Sequence, residues 1–112
     1  MKNNLYYSVR SRQDLDEIWD YIETELQNHS AAERVVNGIM HTIDQLEDFE
    51  EIGAPLSSIA DVDNDYRFLV SGSYLVFYRT NGRDVYVDRI LYGRRDYLRI
   101  LFGDVPTEET FE

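Results

Sequence analysis

Cysteine is absent from this sequence, which excludes a disulfide framework and any thiolate metal site. No apolar run approaches the ~20 residues that a membrane-spanning helix needs. The first fifteen residues, MKNNLYYSVRSRQDL, lack the apolar stretch and small-residue cleavage site of a signal peptide. These absences predict a cytoplasmic protein that does not engage membranes. Histidine is nearly missing too. His29 falls at a break between helical patterns and His41 off the apolar stripe of the second, so both read as surface residues rather than catalysts. The Asp and Glu runs have no metal-ligand spacing, and no metal or cofactor is expected. Repeats, low-complexity tracts and domain linkers are also lacking. The 112 residues therefore read as one domain over 1–103 with an acidic tail over 104–112.

Positive charge is scarce and unevenly placed. The formal net charge of −11 divides into −11 over residues 1–65, +4 over 66–102 and −4 over 103–112. The middle block holds seven arginines (67, 79, 83, 89, 94, 95 and 99) and no lysine. Arginine presents a planar donor fork suited to phosphate or carboxylate. The plainer explanation is that arginines on strand faces serve as cross-strand partners for acids.

What is present has a clear periodicity. LYYSV (5–9) reads as a strand. Ser11 then reads as a helix N-cap, with Asp14 in the first turn to suit the helix dipole. Leu15, Ile18, Trp19, Ile22 and Leu26 trace one apolar face of a helix over roughly 12–27, and Asp16, Glu17, Asp20, Glu23 and Glu25 a solvated acidic stripe. Trp19 belongs to the core in this reading. Ser30 and Glu33 form a capping-box pattern before a second helix over about 31–50, with the stripe Val35, Val36, Ile39, Ile43 and Leu46. Glu50 and Glu51 read as the end of that helix rather than a site. Residues 51–65 read as a connecting loop.

The period then changes to two. YRFLV (66–70), YLVFYR (74–79) and RDVYVDRILY (83–92) read as three strands. They are joined at Gly72-Ser73 and at Asn81-Gly82, the second a type I′ hairpin signal. In the last strand Val85, Val87 and Arg89 should alternate with Tyr86, Asp88 and Ile90. Asp96 can cap a short terminal helix, YLRILF, closed by Gly103, and Pro106 opens a frayed end. The fold class is α+β, in the order β-α-α-β-β-β-α. A helical hairpin packs on a small antiparallel sheet and buries both apolar stripes.

This order resembles the RelE/ParE superfamily of bacterial type II toxins over about 5–103. The residues that carry the likeness are the D-x-x-x-I-W-x-Y-I run from Asp14 to Ile22, Pro55-Leu56, Tyr66-Arg67, and above all R-I-L-Y-G-R-R-D-Y (89–97). The last is similar to the R-I-L-H-G-x-R-D ending of the ParE branch, with Tyr92 where that branch usually has His. The resemblance implies a small plasmid-stabilisation toxin that inhibits DNA gyrase by protein–protein contact and is neutralised by a cognate antitoxin. Its alternatives are a RelE-like ribosome-dependent mRNA endonuclease, or a member that has lost toxicity and only binds its partner. The strongly acidic helices motivate the last, and a homodimer is left open.

For a nuclease, the resemblance carries over Arg67 and Arg95 as phosphate-binding positions, with Tyr97 or Tyr92 as the substitute proton donor. The usual acid/base position falls on Leu101, which cannot move a proton. Residues 51–65 hold no base, only Glu51, Asp61, Asp63 and Asp65, which would repel an RNA backbone. For a binding protein, Arg67, Arg94, Arg95 and Arg99 form the expected cationic surface for target or antitoxin. Internal pairing of these arginines with Asp84, Asp88 and Asp96 is the competing expectation. Arg67 and Arg95 should converge at one rim, opposite the acidic helices. An exposed apolar strip across the helices or the sheet is expected for the antitoxin.

Overall fold

The computed structural model describes residues 2–58, 65–93 and 97–102. A four-residue strand, β1 (Asn4–Tyr7), leads into α1 (Val9–Asp20). The helix widens to a π-helical turn over Tyr21–Glu25. After Gln27, whose φ is 50°, α2 runs over His29–Asp44 and tightens to a 3₁₀ turn at Gln45–Glu47. A two-residue strand, β2 (Ala54–Pro55), follows. Strands β3 (Arg67–Ser71), β4 (Tyr74–Asn81) and β5 (Asp84–Tyr92) form a meander, and α3 (Tyr97–Phe102) completes the described chain.

The sheet has five strands in the order β1-β5-β4-β3-β2. β1 lies parallel to β5, and the other pairings are antiparallel. The α+β architecture expected from the sequence is present, with β2 added inside the segment read as a loop. That strand is only Ala54 and Pro55 opposite Phe68 and Arg67, too short for a periodicity signal and at an edge, where proline is tolerated.

Both helix starts lie earlier than expected. Ser8 caps α1, accepting from the Ser11 N–H at 2.9 Å, while the Ser11 hydroxyl donates back to the Ser8 carbonyl at 2.8 Å. Asn28 caps α2, accepting from the Ala31 N–H at 3.0 Å. The expected Ser30–Glu33 box is therefore not the cap; Ser30 donates to Asn28 instead. Asp14 is not in the first turn of α1 but buried in its middle. α2 also stops well before residue 50, so Glu50 and Glu51 lie in a turn beyond it.

The apolar stripes behave as their spacing requires. Ile18, Ile22, Val36, Ile39, Ile43 and Leu46 pack against Val76, Tyr78, Val85, Val87 and Ile90 on one sheet face, with Trp19 half-buried beside them. Leu26, expected in the stripe, is exposed because the wider π turn rotates it off the core line. A second, smaller core lies on the other face, where α3 covers Phe77 and Leu91 together with Leu56.

A register shift opposite Phe77 and Tyr78 sets the parity of β5. Phe77 pairs with Arg89 and Tyr78 with Val87, leaving Asp88 as the extra residue of a bulge. Ile90, rather than Arg89, thereby joins Val85 and Val87 in the helix-side core. In the β4–β5 turn the positive φ falls on Gly82 alone, at 62°. That is the backbone of a II′ turn with glycine at the first central position, not the I′ turn that Asn81-Gly82 suggested.

Candidate functional site

Of the cationic residues singled out from the sequence, Arg67 and Arg99 lie among the described residues. Arg67, half-buried at the start of β3, donates to the Gly53 carbonyl at 2.6 Å and to the Glu51 carbonyl at 3.4 Å. One terminal nitrogen of its guanidinium thus holds the turn after α2. Arg99 is exposed on α3. Tyr97 packs its ring on Phe77, with centroids 5.4 Å apart, inside the second core. Leu101 is part of the same core. Arg94, Arg95 and the Asp96 cap lie outside the described residues, as do Gly103 and the tail, so the convergence of Arg67 with Arg95 does too.

Two of the acids expected to pair with the terminal arginines, Asp84 and Asp88, have partners among other described residues. Asp88, thrown out by the bulge, accepts from the Tyr66 hydroxyl at 2.7 Å and pairs with Arg79 at 3.2 Å. The Arg79 guanidinium carbon lies 5.0 Å over the Tyr66 ring, and Phe102 meets that ring edge-on at 5.7 Å. Burial, then the hydrogen bond to the Asp88 carboxylate, pushes the Tyr66 phenol up to about 12. Tyr66 thus keeps its proton at neutral pH, and the charge of Arg79 is largely spent on Asp88. Asp84 accepts from Asn4 at 3.1 Å and from Tyr86 at 3.4 Å. The Tyr66–Asp88–Arg79 cluster was not legible beforehand, because only the bulge brings Asp88 to the other two.

An apolar groove of about 750 Å³ runs between the end of α1 and the exposed edge of β5. It exists because β1 pairs with β5 only as far as Val87, leaving the last residues of β5 without a neighbouring strand on that side. Ile18, Tyr21, Ile22 and Leu26 line one wall, Tyr74 and Tyr92 the other, and Asp14 and Glu17 contribute carboxylates. Tyr21, Leu26 and Tyr92 are all exposed. The expected apolar strip is this groove.

The wall made by the π turn is held from outside. Glu23 accepts from the Trp19 indole N–H at 2.8 Å and bonds the His29 ring at 2.7 Å, while His29 meets Trp19 edge-on at 5.5 Å. The His29 bond, then the Trp19 bond, hold the Glu23 carboxyl below its usual range. His41 is exposed. Among the described residues no group of three His, Asp or Glu side chains is arranged to hold a metal ion, and no helix is long and apolar enough to cross a membrane.

Comparison with known proteins agrees with this architecture. A solved structure described as the chromosomal ParDE TA system from P. aeruginosa superposes with a TM-score of 0.68 at 22% identity, covering 80% of this chain and 95% of that one. No curated protein sequence matches. The model of the ParE toxin of the type II toxin–antitoxin system, parDE, matches residues 5–97. That match spans β1 through the start of α3, and by it the chain belongs to the ParE toxin family of type II toxin–antitoxin systems.

Proposed function

We propose that this protein is the toxin of a ParE-type pair, that it inhibits DNA gyrase by protein–protein contact, and that a co-encoded antitoxin holds it inactive by filling the groove between α1 and β5. The observation that carries the reading is the groove itself. Exposed Tyr21, Leu26 and Tyr92 surround a cleft large enough for a helix or strand of a partner. Apolar surface of this kind is stable in a cell when a partner covers it.

An mRNA endonuclease finds little support in the side-chain chemistry. RNA cleavage needs a group that moves a proton and cations that stabilise the phosphorane. Leu101, at the usual acid/base position, packs against the second core, Tyr97 packs its ring on Phe77, and Arg67 is bonded to backbone carbonyls. Inhibition by binding needs no proton transfer.

The test is expression of the chain alone and with its neighbouring gene, alongside supercoiling assays with purified gyrase and chain. Growth arrest relieved by the neighbour, with supercoiling inhibited, is expected. Normal growth without the neighbour would mean that toxicity has been lost. Arrest with intact supercoiling and mRNA cut on the ribosome would replace this reading with the nuclease.

A further inference from the structure

The turn after α2 combines features that no internal role explains. Its backbone is held firmly from below. Tyr78, fully buried, donates its hydroxyl to the Glu50 carbonyl at 2.9 Å and accepts the Gly53 N–H at 3.0 Å. Arg67 adds its bonds to the Glu51 and Gly53 carbonyls. Asn3 donates to the Glu50 carboxylate at 2.6 Å. Gly53 must be glycine, because a Cβ there would stand 2.7 Å from both the Phe68 carbonyl oxygen and the Tyr78 hydroxyl. Ile52 N–H closes the turn on the Phe49 carbonyl at 3.1 Å.

Yet this pinned turn aims its apolar side chains at water. Phe49 is 63% exposed and Ile52 50%. Asp48 and Glu51 flank them, both exposed, and residues 48–58 contain no base. An aromatic–aliphatic pair on a backbone already held in place, flanked by the Asp48 and Glu51 carboxylates, is built like a binding hot spot, since only the side chains remain to be ordered on association.

We propose that the Asp48–Ile52 turn is the knob by which this toxin docks on its cellular target, and that the receiving surface is a protein with an apolar pocket rimmed by lysine or arginine. Charge complementarity sets that chemistry. The inference rests on the reading of the chain as a toxin that acts by binding. The turn serves the target rather than the antitoxin because it lies apart from the groove. It is bonded to Tyr78, whereas on β4 the groove reaches only Tyr74, roughly 14 Å away along the strand at ~3.4 Å per residue. A second copy of the chain is the weaker candidate. A head-to-tail contact of the turn with a second copy would propagate rather than close.

The test uses full-length chain, purified bacterial DNA gyrase and the antitoxin encoded beside the toxin. Two variants, Phe49→Ser/Ile52→Ser and Asp48→Lys/Glu51→Lys, are compared with wild type for gyrase binding, growth arrest, antitoxin binding and thermal melting. Both should bind gyrase at least tenfold more weakly and lose growth arrest, while antitoxin affinity stays within twofold and the melting temperature is unchanged. Wild-type binding should also weaken as salt rises. Equal arrest by wild type and both variants overturns the knob while leaving the toxin reading intact. Arrest by wild type alone, without gyrase binding, upholds the knob and displaces gyrase as target. A wild type that arrests nothing overturns both. A wild-type dimer abolished by Phe49→Ser/Ile52→Ser makes the occupant a second copy and overturns the proposal.

Discussion

Asp14 and Arg89 stand 75 residues apart in the chain and meet as a bidentate pair, Nε to Oδ2 and a terminal guanidinium nitrogen to Oδ1, both at 2.9 Å. The same carboxylate takes the Ile90 backbone N–H at 2.9 Å, a donor at the edge of β5 past the end of β1. One side chain of α1 thus stands in for the missing strand and lines the groove as well. The side chains are only 6% and 15% exposed, and bonding to Asp14 raises Arg89 above its already high range.

Removing one member should therefore strand a buried charge. Asp14→Ala is expected to cost about 3–5 kcal/mol in urea unfolding. Asp14→Leu with Arg89→Met should cost less than either single change, with a residual loss from the Ile90 N–H. Additive losses in the double variant would show that the pair is not a coupled unit.

Tyr78→Phe removes a buried hydroxyl that bonds Glu50 and Gly53. The Gly53 N–H then lacks an acceptor, so a loss of about 1–3 kcal/mol is expected. Faster hydrogen exchange at Gly53 would mark loosening of the turn; an unchanged rate would mean that another group replaces the phenol.

Two glycines should respond in opposite directions. Gly38 lies in mid-α2, exposed, with nothing within 4 Å of an added Cβ. Gly38→Ala should stabilise by up to about 1 kcal/mol through helix propensity. Gly53→Ala meets the Phe68 carbonyl and the Tyr78 hydroxyl and should destabilise by about 1–3 kcal/mol. Urea midpoints of the two variants should fall on either side of wild type.

Tyr66 sets an alkaline signature. Its phenol is raised to about 12 in the fold, against about 10 in an unfolded chain. The fold favours the protonated form. The stabilisation is complete below pH ~10 and is lost as pH rises through ~12. Tyr66→Phe should flatten the stability loss across that window and remove a phenol that titrates near 12 from the absorbance curve. Burial also raises Tyr7, Tyr74, Tyr78 and Tyr86, so some slope remains. An unchanged absorbance titration would refute the assignment.

The residues that misled the sequence reading show where local pattern runs out. Ser11 and Ser30 satisfy capping rules, yet Ser8 and Asn28 do the capping. Several polar residues in a row could each begin a helix, and packing of the stripe on the sheet selects one. Strict alternation in β5 would have put Arg89 in the core; the bulge at Asp88 put Ile90 there. Arg67 was legible as a special arginine, but its partners were not, because the Gly53 and Glu51 carbonyls become acceptors only after the chain has turned.

By itself the sequence determined the α+β class, the two apolar helix stripes, the three-stranded meander and the family. All of these rest on short-range periodicity and turn chemistry, which neighbouring residues specify. Tertiary structure alone decided which charges meet. The Asp14–Arg89 pair, the Tyr66–Asp88–Arg79 cluster and the pinned turn bearing Phe49 and Ile52 join residues from distant elements. Their geometry depends on a bulge, a short edge strand and a single missing Cβ. Those features cost or yield only a few kcal/mol each, and they arise from packing between elements rather than from any one stretch of chain.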